Sequence, residues 1–572
     1  MTNRYYNTSN TFVEDETTFF TLNAFDTLFV GSSGTLAATG TSSTLISFYG
    51  GNSVDVAGTL FAASGYVLRG NDVSGTININ IAIGGRVIGD TSISSFYYGP
   101  AFINAGFISG PTTLSYTGAS TSQMVRLNNS GTMQNAGLVV IIRNGTLTNS
   151  GDILSLSSDA VALSGTTSNL LNTGLIQSTS NNAVNFNSTT GSATIVNSGT
   201  ISSSSRDFAD PTIMASPQAD RITNTGLIIG DVRLGSGNDV IDSDGGAVRG
   251  VVYGEAGHDI LRGGAGNDVL EGGLGADQLF GGAGSDTASY ARWTDYESPL
   301  LVDLFDEAEN TGEARGDSFS SIENVIGSAL SANELYGDGA VNILDGGAAG
   351  DILDGRGGAD VLRGGRGGDV YYVDNVADKV IELADSGNDT VYASSSFKFG
   401  GQAIETLYLT GTGGLGATGS DDANTIHGNA GNNTINGAGG DDVLRGNNGD
   451  DRLIGAAGAD TLYGGAGADA FVLLRLTDSG YPVALRDTIK DFSSAQGDRI
   501  DLSAIDADVG TVANDAFTFR GTGAFTGVPG QLRFSSGGNV AIVFGDVDGD
   551  RLADFAIRVE GTATLTASNF VL

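Results

Sequence analysis

The most regular feature of the first 230 residues is a series of short apolar stretches, each preceded by Asn-x-Gly. The six triplets begin at 20- to 27-residue intervals, at Asn104, Asn129, Asn149, Asn172, Asn197 and Asn224. Short strands alternating with Asn/Gly turns, without any helix-period segment between them, are typical of a parallel β-solenoid. The pattern therefore predicts such a solenoid over residues 26–230.

The recurring asparagines have a structural interpretation. Asparagine tolerates the left-handed turn conformation, and asparagine side chains stacked on successive coils can form a hydrogen-bonded ladder. Residues 1–25 hold aromatic residues that we expect to cap the open end of the solenoid; these are Tyr5, Tyr6, Phe12, Phe19, Phe20 and Phe25. This half resembles the β-helical passengers of secreted bacterial surface proteins and adhesins.

A stricter period of nine residues begins after residue 230. It runs without slip through residues 254–289, 337–372 and 419–472, with one isolated unit from Leu234. Typical copies are GGAGNDVLE at 263–271 and GGAGADAFV at 464–472. The glycines supply turns, and positions seven to nine form a short strand whose eighth side chain faces inward, as expected for Leu261, Leu270 and Leu279. Two units make one coil, which brings the sixth-position carboxylates of successive coils to about the 4.8 Å spacing of strands.

Stacked carboxylates repel one another unless a cation lies between them. Flexible sites made only of oxygen atoms favour Ca²⁺ over Mg²⁺, so calcium is the predicted metal. The predicted carboxylate ligands are Asp239, Asp259, Asp268, Asp277, Asp286, Asp351, Asp360, Asp369, Asp442, Asp451, Asp460 and Asp469. The predicted turn glycines are Gly264, Gly266, Gly273, Gly275, Gly282, Gly284, Gly365, Gly367, Gly465 and Gly467.

Three units carry asparagine at the sixth position, namely Asn342, Asn424 and Asn433, each at the start of its block. Asparagine lacks the negative charge, so we expect these coils to bind calcium weakly or to act as caps. The alternative for the whole region is a disordered Gly-rich acidic tail. The regular apolar eighth position argues against disorder.

This nonapeptide resembles the RTX, or hemolysin-type, calcium-binding repeat, which implies a calcium-bound parallel β-roll. The predicted roll blocks are residues 231–290, 337–372 and 419–472. The intervening segments 291–336 and 373–418 share an Ile-Glu-x-apolar pattern in SSIENVIGS and AIETLYLTG, and we expect them to continue the roll as longer coils.

The carboxyl-terminal part, from about residue 340 to the end, resembles the corresponding domain of serralysin-type secreted metalloproteases. The resemblance implies that residues 473–572 form a β-rich domain read by a type I secretion apparatus, with Phe570, Val571 and Leu572 as its apolar tail. Asn569 stands where such tails usually have an acid. Asp546, Asp548 and Asp550 resemble the start of an EF-hand loop, but Arg551 and Ile557 occupy its glycine and glutamate positions, which favours a surface turn.

Charge and composition narrow the function. The chain has 65 acidic and 27 basic residues, a net charge of −38, of which −5 lies in residues 1–230 and −33 in the remainder. This balance argues against nucleic acid and anionic membranes as partners. The chain has no cysteine, and no apolar run is long enough for a transmembrane helix. Because extracellular calcium modules bind weakly, we expect the chain to fold only outside the cell.

Candidate catalytic chemistry is sparse. The two histidines, His258 and His427, form no His-Glu-x-x-His, and no Gly-x-Ser-x-Gly occurs. An uronate epimerase or lyase with its site on the solenoid is the alternative, because secreted alginate epimerases resemble this layout. Residues 1–230 contain neither His nor Lys for proton abstraction. The sequence therefore predicts an all-β, secreted, calcium-binding scaffold or adhesin rather than an enzyme, with a cell-surface polysaccharide or a second copy of itself as its partner.

Overall fold

The computed structural model describes residues 125–186, 189–205, 209–295, 299–382, 387–510, 512 and 514–572. Within the first 124 residues it describes the strands and some of the turns between them. The side chains of residues 1–26 lie outside the described part, and so does the predicted aromatic cap that they would form.

The described chain is all-β, which confirms the predicted class. It divides into two compact units, the first comprising residues 1–290 with 313–324, and the second residues 291–312 with 325–572. The described residues include no α-helix, and their 3₁₀ helices are Glu307–Glu309, Gly312–Ala314, Leu476–Asp478, Val483–Leu485 and Ala567–Asn569. None of these has the length or apolar character to span a membrane. The finer division expected from the sequence, into a cap, a solenoid, three roll blocks with two intervening segments and a carboxyl-terminal domain, stays a prediction.

The first unit is a parallel solenoid with three strands in each of its early coils. The first face, face A, contains Asn3–Tyr6, Thr27–Val30, Ser53–Val56, Asn78–Ile81, Ala101–Asn104, Val125–Asn129, the ends of Val140–Asn149 and Val161–Asn172, Ala193–Asn197, Arg221–Asn224, Val240–Asp242, Ile260–Ala265, Gln278–Ala283 and Ser318–Ser320. Each strand pairs in parallel with its counterpart one coil later, as Ala193–Asn197 does with Arg221–Asn224.

The other two faces are built in the same way. Face B contains Ser9–Phe12, Thr35–Ala38, Thr59–Ala62, Arg86–Ile88, Phe107–Ser109, Thr132–Asn135, Asp152–Ser155, Leu175–Ser178, Thr200–Ser203, Leu227–Ile229 and Ala247–Arg249. Face C contains Thr18–Leu22, Thr44–Phe48, Tyr66–Gly70, Thr91–Ser94, Thr112–Ser115, the beginnings of Val140–Asn149 and Val161–Asn172, Val184–Asn185, Ile213–Met214, Val232–Arg233, Val251–Gly257, Val269–Gly275 and Thr287–Ser289.

Face B ends at Ala247–Arg249, and the coils that follow have two strands only. There Ile260 pairs with Gln278, a separation of 18 residues, so one coil contains two nonapeptides. Leu261, Leu270 and Leu279 are fully buried, which confirms that the eighth position faces inward. The sequence change from Asn-x-Gly to the nonapeptide thus coincides with a change from three strands to two.

The second unit is a two-sided roll closed by an antiparallel segment. One sheet contains Leu300–Asp303, Asn333–Tyr336, Ile352–Asp354, Val370–Val373, Thr390–Ala393, Thr406–Leu409, Thr425–His427, Val443–Asn448, Thr461–Ala466 and Thr488–Ile489, followed by Phe555–Glu560, Val540–Asp546, Gln531–Gly537 and Thr518–Phe519. The last three long strands pair antiparallel, which ends the parallel coiling.

The opposite side of the second unit has two groups of strands. The first is Ile343–Gly347, Val361–Gly365 and Lys379–Ile381, and the second is Phe397–Lys398, Gly416–Thr418, Thr434–Gly439, Arg452–Ala457, Ala470–Val472, Arg499–Asp501 and Phe570–Val571. Asn324–Ile326 is a strand at the division between the units. The apolar tail is therefore part of a sheet, since Phe570 pairs with Ile500 and its side chain is buried.

Candidate calcium sites

The turn glycines adopt the conformation that the nonapeptide requires. All ten of the predicted glycines have φ between +90° and +153°, a region that L-residues avoid. At Gly273 a Cβ atom would lie 2.1 Å from the carbonyl oxygen of Glu255 on the preceding coil. The turns can therefore stack at strand spacing only where this position has no side chain.

The sixth-position aspartates form ladders, one residue per coil. The backbone N–H of Asp259 donates to Oδ1 of Asp277 at 2.8 Å, and the N–H of Asp442 donates to Oδ1 of Asp460 at 2.9 Å. The same contact joins Asp239 to Asp259, Asp268 to Asp286, Asn342 to Asp360, Asp351 to Asp369, Asn424 to Asp442, Asn433 to Asp451, and Asp451 to Asp469. All twelve predicted aspartates are buried.

The second carboxylate oxygen of each of these aspartates is buried and has no hydrogen-bond partner. This holds for Oδ2 of all twelve, and also for Oδ2 of Asp389. A buried anionic oxygen without a partner is costly, because its hydration is lost and nothing replaces it. The row of Oδ2 atoms thus fits bound cations.

Burial shifts the titration of these carboxyl groups toward neutral pH. Desolvation raises the pKa of Asp239 and Asp442 to about 8, against the lowering effect of the hydrogen bond from the preceding coil. It likewise raises the pKa of Asp259 and Asp351 to about 7. Each folded carboxylate therefore needs either a proton or a cation.

The donor set suits a hard cation. Carboxylate oxygens beside Gly-rich turns are ligands that calcium prefers, and the chain has no cysteine for softer metals. The first glycine of each unit lies against the same oxygen, since a Cβ on Gly272 would be 2.5 Å from Oδ2 of Asp277. A side chain there would occupy the space beside the oxygen that faces the cation.

The ladders include acidic residues that the nonapeptide pattern did not identify. Asp239 accepts the N–H of Asp220, Asp317 accepts that of Asp277, and Glu323 accepts that of Asp286. In the second unit the same role falls to Asp378, Asp389, Glu405, Asp487 and Asp498. The Ile-Glu pattern marked Glu323 and Glu405 in the sequence. Asp378 lies at the regular distance of 18 residues from Asp360 but outside the nonapeptide blocks, and the others lie in coils of irregular length.

The three asparagines differ from the aspartates in one respect. Oδ1 of Asn342, Asn424 and Asn433 accepts a backbone N–H from its own turn, donated by Asp338, Ser420 and Asn429 respectively. Nδ2 of Asn424 also donates to the carbonyl of Ile404. Hydrogen bonds within the protein therefore take the place of a cation, which favours the cap interpretation for these coils.

Two groups of three acidic side chains have oxygen atoms within 4.8 Å of one another among the described residues. One is Asp369, Glu382 and Asp389, all buried, and the hydroxyl of Tyr371 donates to Glu382. The other is Asp546, Asp548 and Asp554. In the latter, Asp546 is buried and its carboxylate accepts the N–H groups of Gly549 and Arg551, whereas Asp548 and Asp550 are exposed, as expected for a surface turn.

The asparagine ladder of the solenoid is confirmed. Nδ2 of Asn104, Asn129, Asn149, Asn172 and Asn197 each donates to Oδ1 of the next asparagine at 2.7–2.8 Å. All six asparagines are at most 2% exposed. Unlike a carboxylate, each amide both donates and accepts, so this ladder is complete without a cation.

Comparison with known proteins assigns the repeats. The model of the RTX calcium-binding nonapeptide repeat matches residues 253–288 and 336–371, and that of the serralysin C-terminal domain of M10 peptidases matches residues 363–572. None of the curated proteins matches the chain.

A solution structure of the AlgE6R3 subunit of the Azotobacter vinelandii mannuronan C5-epimerase also matches. It is 33% identical, and the match covers 27% of this chain and 80% of that one with a TM-score of 0.21. With so low a TM-score, this likeness supports no conclusion about fold or function.

Proposed function

We propose that this chain, which carries RTX calcium-binding repeats and a serralysin-type carboxyl-terminal domain, is a secreted scaffold or adhesin that folds on extracellular calcium. Its repeats bind several Ca²⁺ ions, and its carboxyl-terminal domain is of the kind exported by a type I apparatus. The finer role, as a surface or matrix scaffold, goes beyond the family matches.

One observation carries the proposal, namely the row of buried, partnerless Oδ2 atoms along the aspartate ladders. Bound calcium supplies positive charge to these oxygens and removes the repulsion between successive carboxylates. The twelve predicted aspartates would hold the ions, together with Asp389. The glycines of the same turns leave the space for them.

The ladders explain why folding would depend on the extracellular medium. Without a cation, burial opposes ionisation of every ladder carboxyl group, and the folded roll loses stability at neutral pH. Calcium sites of extracellular modules bind at about 10⁻⁴ to 10⁻³ M, so they fill outside the cell and not in a resting cytosol. Export as an unfolded chain would then precede folding.

The solenoid supports a scaffold role. Its core is continuous from Leu127 through Leu147, Leu170 and Ile195 to Ile222, each at most 1% exposed. The asparagine ladder stabilises the turns without any titratable group. Residues 1–230 have neither His nor Lys, which supports a non-catalytic role for this half.

The test is a calcium titration of the full-length protein followed by circular dichroism. We expect β-structure to increase at millimolar Ca²⁺ and not at millimolar Mg²⁺. An unchanged spectrum would contradict calcium-dependent folding. Incubation of the calcium-loaded protein with uronate polymers tests the scaffold role separately, because turnover of the polymer would show an enzyme instead.

A further inference from the structure

Aromatic side chains follow one outer face of the second unit, one per coil. Tyr372 pairs in register with Tyr392, Tyr392 with Tyr408, and Tyr408 with His427. Their ring centroids are 5.4, 5.2 and 4.5 Å apart, with interplanar angles of 13–18°. We call Tyr372, Tyr392, Tyr408 and His427 the aromatic row.

The row stops at Tyr372 because the next residue in register is Asp354. One coil further lies Tyr336, which pairs with Asp354 from the other side. A carboxylate thus takes the place of a ring between two tyrosines. Tyr372 has no ring stacked on this side, and it is 42% exposed.

A hollow of about 370 Å³ begins at this interruption and extends past Tyr372 along the next two coils. Its lining combines an aromatic ring, carboxylates and hydroxyl groups, from Asp354, Arg356, Tyr372, Asp374, Ser394 and Thr410. Its volume lies within the range of pockets that bind small ligands. A ring face with carboxylate and hydroxyl groups at its edge suits a ligand that is apolar on one side and rich in hydroxyls around its rim.

The charges around the hollow decide between ligand classes. The guanidinium of Arg356 donates to both carboxylate oxygens of Asp303, at 2.8 and 2.5 Å, and also to the carbonyl of Gly337. Its positive charge is therefore neutralised within the protein. Oδ1 of Asp354 accepts the backbone N–H of Arg356, which leaves its second oxygen and the carboxylate of Asp374 as acceptors, so the hollow disfavours an anionic ligand.

We propose that the hollow between Tyr372 and Arg356 binds one sugar unit of a neutral polysaccharide. A pyranose would stack its C–H face on the exposed ring of Tyr372, and its hydroxyls would donate to Asp354. The sugar units that follow would exchange hydrogen bonds with Ser394 and Thr410, which lie on the next two coils. This inference rests on the proposed function and names the partner class of the scaffold.

The experiment measures binding of the calcium-loaded, full-length protein to a panel of linear hexasaccharides by isothermal calorimetry. The neutral probes are cellohexaose, laminarihexaose, mannohexaose and maltohexaose, and the anionic probe is hexaguluronate. We expect at least one neutral probe to bind and hexaguluronate not to bind at this site. Failure of all four neutral probes to bind, or binding of hexaguluronate alone, would overturn the inference.

Variants assign the binding to the hollow. Tyr372→Ala is expected to weaken it about tenfold through loss of the ring contact, and Asp354→Asn about tenfold through loss of a charged acceptor. Tyr372→Phe keeps the ring and should bind as the wild type does. Tyr463→Ala is the matched control, because Tyr463 lies outside the hollow with Arg445 over its ring at 4.0 Å. Equal binding by wild type and Tyr372→Ala would also overturn the inference.

Circular dichroism on the same samples separates the two proposals. A variant that folds with calcium as the wild type does, but binds less sugar, has lost a contact and not its fold. If the wild type folds with calcium and binds none of the neutral probes, only the sugar site is wrong. If calcium does not induce folding, the proposed function itself fails.

Discussion

The solenoid and the roll both bury a ladder of stacked polar side chains, but the solenoid uses asparagine and the roll uses aspartate. In both, buried polar residues stack on their counterparts one coil away, Asn172 on Asn197 in the solenoid and Asp442 beneath Asp460 in the roll. The amide ladder satisfies its own hydrogen bonds, whereas the carboxylate ladder leaves Oδ2 without a partner. One oxygen in place of an NH₂ group thus converts a self-sufficient ladder into one that needs a cation.

Removal of calcium should produce the largest difference between the two regions. With a chelator, we expect amides in residues 254–289, 337–372 and 419–472 to lose protection from hydrogen exchange, because their ladders then repel. Residues 129–224 should stay protected. Hydrogen exchange with mass spectrometry on the full chain measures both regions at once, and equal loss in both would contradict the comparison.

A carboxylate within the amide ladder should destabilise the solenoid. Asn172→Asp removes the donor to Asn197 Oδ1 and to the carbonyls of Gly174 and Thr200, and leaves a buried charge among acceptors. We expect a loss of about 3 kcal/mol or more, with or without calcium. Asn169→Asp, on the outer side of the same strand, is the control and should cost about 0.5 kcal/mol or less. Chemical denaturation monitored on the solenoid gives both values.

The reverse substitution, of an aspartate by asparagine in the roll, should lower the stability of the roll with calcium but not without it. Asp460→Asn removes one partnerless oxygen charge, so in calcium we expect about one bound ion fewer and a loss of about 1–3 kcal/mol. In chelator the same variant should be as stable as the wild type or more stable, because a buried charge is gone. Calorimetry measures the number of bound calcium ions, and denaturation measures the stability with calcium and with chelator. Asp421→Asn, at an exposed residue, is the control. Destabilisation in both conditions would indicate a purely structural role.

Acidification should change the stability of the roll but not that of the amide ladder in the solenoid. Burial raises the pKa of Asp442 to about 8 and that of Asp351 to about 7, both above the ordinary value of 3.8. The protonated forms therefore stabilise the folded roll, fully below about pH 4, and this stability is lost as the pH rises through 7 to 8. Without calcium we expect more β-structure at pH 5 than at pH 8, and with limiting calcium weaker binding at pH 5. An opposite trend in circular dichroism would contradict the burial of these groups.

The smallest effect concerns a turn that departs from the glycine pattern. Ala456 has φ +69°, which costs an L-residue about 1–2 kcal/mol. Ala456→Gly should relieve this strain but adds chain entropy to the unfolded state, for a net gain of about 1 kcal/mol or less. Ala457→Gly, at a neighbouring residue without positive φ, should instead lose about 0.5–1 kcal/mol. Thermal unfolding in calcium distinguishes the two variants.

Sequence alone determined the contacts between residues of a recurring motif. Nine-residue units must place Asp268 above Asp286 after 18 residues, and the Asn-x-Gly triplets must bring Asn149 above Asn172, because each coil returns the chain to the same face. Inward leucines and positive-φ glycines follow from the same periodicity. These features were predicted by residue number.

Only the tertiary structure decided which residues come into contact where the coils are irregular. Asp317 and Asp487 reach the ladders after 40 and 27 residues, and no fixed period predicts those distances. The hollow beside Tyr372 likewise depends on register, since Asp354 interrupts the aromatic row only once the strands are paired. A recurring motif marks equivalent positions on successive coils, whereas contacts of residues outside such a motif depend on how each longer loop closes.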